Sequence, residues 1–270
     1  MRWSSYVLTS RLNWIIPIQK NIKNSKKELL LSYYLKPVQM IHRKLSIGSV
    51  SELAFILGTN EDYLLCLAKN VERYYREWTE PKESGGTRKF TSPQGRLKKT
   101  QKDIHRLLSR IDFGINSHYG IKKRSCLTNA KVHKNTRIKF TLDLKSFFPS
   151  VRPERIYTAL IAEQKCSPEV AILLTKLVSV NYELPQGAPT STGIANIVTL
   201  RLQRRLNGLA NKWALKFSIY ADDITFSGNF IKDDFVFLAK KIIRDEGFKI
   251  HSAKGGVFNK WRIQVSSATG

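Results

Sequence analysis

The chain has 270 residues, 42% of them hydrophobic, and carries a formal charge of +25 from 46 Lys and Arg against 21 Asp and Glu. That apolar share supports a real core and excludes a disordered chain. The charge calls for a polyanionic partner, with nucleic acid ahead of an anionic membrane surface, because self-repulsion on this scale opposes compaction.

The longest apolar run near the N-terminus, "WIIPI", is too short for a membrane span or a signal h-region, so no membrane role is expected. Residues 1–72 read as a helical N-terminal extension, with helical stretches around "KKELLLSYYL". Ser49 with Glu52 predicts a capping box, Gly58 a helix stop and Asn60 the next start. Two short helices around a glycine turn resemble a DNA-binding helix-turn-helix; a plain helical pair packed on a larger domain competes with it. Aromatic residues, Pro81 and a Gly85-Gly86 turn then predict a hairpin. In "RLKKTQKDIHRLLSRI", Leu97, Ile104, Leu107, Leu108 and Ile111 share one helical face, and Arg96, Lys98, Lys99, Lys102, Arg106 and Arg110 another. Basic residues continue through Lys122, Lys123, Arg124, Lys131, Lys134, Arg137 and Lys139, a pattern fit for tracking phosphates. Cys66, Cys126 and Cys166 sit in no metal-ligand spacing and read as reduced, cytosolic core fillers.

"RIKFTLDLKSFFPSV" predicts a strand running into a turn. Two helices follow, each with Pro in its first turn, the second capped by Ser167. A Pro/Gly loop, "YELPQGAPTSTG", enters a long helix whose apolar face holds Ile194, Ile197, Val198, Leu202, Leu206, Leu209 and Trp213. "KFSIYADDITFSG" predicts a hairpin, with a helix and a last strand region after it. Strands alternating with helices, with short hairpins among them, give an α+β fold with an antiparallel sheet.

Asp143 and the pair Asp222-Asp223 are acids set in apolar, strand-like runs. An ionised carboxylate there is costly unless something positive lies beside it. If the two strands are neighbours, three carboxylates converge, and a hard divalent cation with oxygen ligands is the natural partner. Two such ions suit an in-line phosphoryl transfer. An ordinary Asp-rich hairpin turn is the alternative for residues 222–223 alone.

Asp143 in "TLDLKSFFPSV", "LPQGAPTSTGIAN" and "YADD" resemble, in order and spacing, the first-strand, Pro-Gln-Gly and Tyr-x-Asp-Asp motifs of reverse transcriptases. "NAKVH" at 129–133 resembles the Asn-Ala-x-x-His signature of the bacterial retron enzymes, and "KESGGTRKFTSPQGRLKKTQ" their fingers segment. The resemblance covers roughly residues 70–270. It implies a right-hand polymerase with fingers at about 73–140 and 155–185 and a ferredoxin-like palm at about 141–154 and 186–270. "QVSSATG" matches only the start of the element before the thumb, so the thumb is expected to be absent or truncated.

By the same resemblance, Asp143 and Asp222 are the main ligands of two Mg²⁺ ions, with Mn²⁺ as a substitute. Asp223 is a weaker ligand, and the Leu144 carbonyl completes one shell. Tyr220, two residues before Asp222, is placed on its face by strand alternation and floors the primer end. Phe148 is the ring beneath the incoming sugar, leaving no room for a 2′-hydroxyl. Gln186 and Gly187 line the nucleotide pocket. Arg88, with Lys82 as a second charge, grips the triphosphate, and Lys254 matches a late palm lysine that protonates pyrophosphate. Asn129 and His133 shape the site or touch RNA. The implied partners are a structured RNA template and primer, deoxynucleoside triphosphates, the RNA–DNA hybrid and an effector protein. The implied chemistry starts from a guanosine 2′-hydroxyl and leaves an RNA-linked DNA, in phage defence. A catalytically idle RNA-binding protein and a group II intron-like enzyme are the other readings.

Overall fold

A computed structural model describes residues 44–81 and 86–259. The stretch at residues 26–35, Lys82, the Gly85 side of the hairpin tip and Ala268-Thr269-Gly270 lie outside the described residues. Among the described residues no helix is long and apolar enough to cross a membrane.

The compact unit begins at His42, so the first two helices belong to it. They are α1 (Val50–Leu57) and α2 (Glu61–Lys69). Ser49 Oγ accepts the Glu52 N–H, but the Glu52 carboxylate accepts the Gly48 N–H at 2.7 Å, so only half of the expected box forms. Gly58 stops α1 with φ +66°, and Asn60 caps α2. Leu53, Ala54, Leu64 and Leu67 are buried against the body of the domain, while Phe55 and Leu65 stay exposed. A packed helical pair is therefore what these residues form, with no basic row of the kind a groove-reading helix needs.

After a 3₁₀ turn (Val71–Tyr74), β1 (Tyr75–Pro81) and β2 (Thr87–Pro93) form an antiparallel hairpin in which Trp78 opposes Phe90, their rings stacked at 5.4 Å. Next come α3 (Gly95–Leu108) and α4 (Cys126–Val132). The predicted apolar face of α3 is buried and every basic residue of its other face is exposed. Arg124 departs from the basic row: its guanidinium turns inward to the carbonyls of Gly114 and Ser117. Cys166 is buried, with its thiol pushed up to about 11 by burial, whereas Cys66 and Cys126 are exposed rather than core fillers.

The rest builds the sheet that carries the site: β3 (Ile138–Leu144), the single turn α5 (Phe147–Ser150), α6 (Pro153–Ala162), α7 (Pro168–Val178), α8 (Ser191–Lys212), β4 (Lys216–Tyr220), β5 (Asp223–Gly228), α9 (Asp233–Asp245) and β6 (Ile250–Asn259). The antiparallel order β4-β5-β3-β6, in a β-α-β-β-α-β chain, is the ferredoxin-like arrangement. Strand alternation sorts the two faces. Phe140, Leu142 and Leu144 of β3, Phe217 and Ile219 of β4, and Ile224 and Phe226 of β5 are buried on one face. Phe235 of α9 meets Phe226 edge-on at 4.9 Å and Trp213 at 6.0 Å. The other face holds Thr141, Asp143, Ser218, Tyr220, Asp223, Thr225 and Ser227. So Asp143 and Asp223 occupy the polar side of a sheet whose opposite side is a dense aromatic core.

Candidate active site

Two local features fix the carboxylates. The β4–β5 connection is a two-residue turn, Ala221-Asp222, with Tyr220 paired to Asp223 across it. Asp143 is directly opposite Asp223 on the adjoining strand, which puts the two Cβ atoms about 5 Å apart. Asp222 joins through its backbone, its carbonyl accepting the Leu144 N–H at 3.0 Å. On the far side of β3, Leu142 pairs with Gly255 and Leu144 with Ile250. Residues 251–254 of β6 thus bulge opposite Asp143, and Lys254 lies in that bulge. Bulges of this kind re-aim side chains beside active sites.

Tyr220 departs from its predicted placement. Asp222 lies in the turn and not on a strand, so alternation does not relate the two; Tyr220 shares its face with Asp223 and Asp143 instead. The turn itself needs Ala221 at φ +53°, a region that costs an L-residue free energy. Ala221→Gly is expected to stabilise the fold by about 0.5–1 kcal/mol, the relief being partly offset by glycine's greater unfolded freedom. Thermal unfolding checks it, through a midpoint higher by about 2 °C.

Like charges directly opposed across strands are unfavourable, and all the donors present are hard oxygens, the set a Mg²⁺-type ion takes. The residues fit such an ion by donor chemistry. Among the described residues, however, no three acidic, His or Cys side chains converge as a finished cage. Two carboxylates face each other across the strands and the third stands on the turn.

Around them sits an aromatic cluster that includes a residue not singled out from the sequence. Tyr119 lies edge-on to Tyr220 at 5.2 Å and to Phe148 at 6.4 Å. Its phenol is pushed up by burial first, then by Tyr220 and the Asp222 charge. Phe148 is half-buried and also meets Phe147 at 5.4 Å, while Phe147 is fully in the core. Tyr119 is held by an extra segment on the β4 edge. The Ile219 N–H donates to the Asn116 carbonyl, the His118 N–H donates to the Ile219 carbonyl, and Asn196 Nδ2 donates to the Tyr119 carbonyl at 2.9 Å. Gly120, at φ +64°, packs so tightly that a Cβ would lie 2.6 Å from Thr192 Cβ. That glycine is the signal the sequence did offer for a close approach at Tyr119.

The Pro-Gln-Gly loop is tied to the hairpin. The Thr91 N–H donates to the Gln186 carbonyl at 2.9 Å, and Gly187 adopts φ +111° with Thr91 O 3.5 Å from where a Cβ would stand. Arg88, three residues before Thr91, pairs with Glu80 in the hairpin register. The loop and the Arg88 strand therefore form one bonded unit.

Of the signature in α4, His133 is 3% exposed and clamps two strands. Its Nδ1 lies 2.7 Å from Ser227 Oγ and its Nε2 2.6 Å from Ser218 Oγ. Burial first, then Lys139, Lys216 and His118, push its pKa down to about 4. Both ring nitrogens are spoken for inside the protein, which fits shaping the site and not touching RNA. Asn129 is half-buried with Oδ1 enclosed and lacking a hydrogen-bond partner.

The family described as reverse transcriptase (RNA-dependent DNA polymerase) matches residues 80–265. Retron Mx65 reverse transcriptase of Myxococcus xanthus is 34% identical over 75% of this chain and 52% of its own length. Retron Mx162 reverse transcriptase of the same organism is 32% identical over 79% and 51%, and retron Ec86 reverse transcriptase of Escherichia coli is 32% identical over 67% and 58%. The chain thus spans about half the length of the curated relatives it matches. With the palm sheet, the paired aspartates and the bonded Pro-Gln-Gly loop on one scaffold, the chain belongs to the reverse transcriptase family and stands with its retron members.

Proposed function

We propose that the protein is an RNA-directed DNA polymerase of retron type. It would extend a primer hydroxyl on a structured RNA with deoxynucleoside triphosphates and leave an RNA-linked DNA used in phage defence. The observation that carries this reading is the register that sets Asp143 opposite Asp223 while the Asp222 carbonyl is bonded to Leu144. Fingers at about 73–140 and 155–185 and a palm at about 141–154 and 186–270 follow from the same reading.

Asp143 and Asp222 would hold two divalent ions, with Asp223 and the Leu144 carbonyl in support; such a pair would supply charge neutralisation for an in-line phosphoryl transfer. Tyr220 supports the primer end on the face it shares with Asp223. Arg88 grips the phosphate tail by bidentate contact. Gln186 and Gly187 border the base and sugar, and Lys254, from the bulge, donates a proton to the leaving pyrophosphate. His133 holds β4 and β5 together beneath these groups, and Asn129 shapes the same region.

A primed RNA template with Mg²⁺ and labelled deoxynucleotides tests the reading. Extension on RNA supports it, and RNA binding without extension overturns it. Phe148 gives a second, sharper test. Its ring is braced by Phe147 and Tyr119, so it has little freedom to yield to a 2′-hydroxyl. Phe148→Ala is expected to lower the preference for deoxynucleotides over ribonucleotides by about 10–100-fold, read as the ratio of single-nucleotide incorporation efficiencies.

A further inference from the structure

Beyond Asp143 the strand register carries a basic cleft that none of the roles above uses. It has a volume of about 610 Å³ and lies between the segment from Lys145 to Arg155 and the turn from α9 into β6. Lys145, Arg152, Arg155 and Lys249 line it, against Glu154 as the acid in its wall. Lys145 and Lys249 are brought together by the backbone, the Lys145 N–H donating to the Lys249 carbonyl at 2.8 Å.

The cations are not neutralised locally. Among the described residues, Lys145, Arg152 and Lys249 take part in no ion pair. Arg155 spends its fork on two neutral acceptors, the carbonyls of Glu246 and Gly247, each at 3.0 Å. Its guanidinium lies 4.2 Å over the Phe248 ring. The nearby Glu246 carboxylate is engaged elsewhere, by Arg205 at 2.7 Å and Arg201 at 3.3 Å. Arg155 is thus held in place without a direct ion pair, its charge opposed by burial and only partly supported by the Glu246 charge, which is how a preorganised anion contact is built. A Cβ on Gly247 would stand 2.6 Å from Arg155 Nη2, so the turn is shaped to admit that side chain.

We propose that this cleft is a polyphosphate site, taking inorganic pyrophosphate or the phosphate tail of a nucleotide. A discrete cleft with converging cations suits a compact, multiply charged anion, whereas a long strand of nucleic acid is tracked by an open groove. Lys145 stands in the turn that follows β3, two positions after Asp143, so the cleft begins at the strand end that carries this carboxylate. The cleft therefore opens beside the centre where pyrophosphate would be released. Its charge stands on its own residues; the choice of ligand rests on the polymerase reading.

Calorimetric titration of the 270-residue chain with inorganic pyrophosphate, in excess chelator, is the test. Saturable binding is expected, weakened about tenfold or more in the double variant Lys145→Ala/Lys249→Ala and retained in Asp222→Ala. Both lysines are exposed, so the double variant should melt like the parent, and melting curves confirm that. Unchanged affinity in the double variant overturns the proposal. So does loss of binding in Asp222→Ala, which would put the anion at the carboxylates. Displacement of pyrophosphate by a short oligonucleotide at equal phosphate concentration also overturns it, in favour of a nucleic-acid surface. A chain that binds pyrophosphate but never extends a primer sinks the polymerase reading and keeps the site. An active chain whose double variant binds normally does the reverse.

Discussion

Asp222→Ala is expected to lower primer extension on RNA by about a thousandfold or more, the loss of about 4 kcal/mol of transition-state stabilisation. The size follows from the chemistry proposed: the carboxylate acts where charge develops during phosphoryl transfer, so its removal falls on rate and not on folding. Asp222 sits in a turn, half-buried, and its backbone carbonyl accepts the Leu144 N–H, a bond that alanine keeps. The thermal midpoint is accordingly expected to move by no more than about 2 °C. Asp143→Ala should act alike, since Asp143 is the partner of Asp223 in the register. Asp222→Asn keeps the shape and removes the charge, and is expected to be as inactive as alanine. Extension within about tenfold of the parent in all three variants, measured with single-nucleotide incorporation, contradicts the assignment of these acids to catalysis.

The sequence made some of this plain for physical reasons. An acid between apolar strand residues has few explanations, so Asp143 and Asp222-Asp223 stood out before any geometry. Phe140, Leu142 and Leu144 alternate along the strand predicted there, and all three are buried. Helices opened by proline and capped by Ser167 began where expected. What sequence could not supply was set by long-range bonds. Tyr119 lies in an aperiodic stretch placed by distant residues: Asn196, 77 positions on, donates to its carbonyl, and Ile219 bonds its neighbours Asn116 and His118. The tight turn at Ala221 broke the alternation that had tied Tyr220 to Asp222, because a non-glycine residue at φ +53° is not foreseeable from propensity. The bulge opposite Asp143 was equally hidden, since it shows only as a shift in register between β3 and β6.

His133 carries the other large expectation, and its sign is opposite to that of a histidine gaining an acidic partner. The folded-state pKa lies at about 4, below the ordinary value of about 6.5 for an unfolded histidine. Between those values the unfolded chain binds the extra proton, so stability rises with pH there. The contribution is whole above about pH 6.5 and is lost as pH falls toward about 4, by about 3 kcal/mol in all. The cause is burial between Ser218 and Ser227, with Lys139 and Lys216 opposing a positive ring. His118, also lowered by burial and by Arg124, acts in the same direction. A difference measurement therefore isolates His133: urea unfolding of the parent and of His133→Ala at pH 7 and again at pH 4.5. At pH 7 the variant is expected to be weaker by about 3 kcal/mol, because two buried serine hydroxyls lose their partner and a cavity opens. At pH 4.5 the gap should shrink by about 2 kcal/mol or more, since the parent alone forfeits the neutral-ring contribution. A gap that stays constant with pH would mean that the ring titrates normally and that the clamp between β4 and β5 is not what holds it neutral.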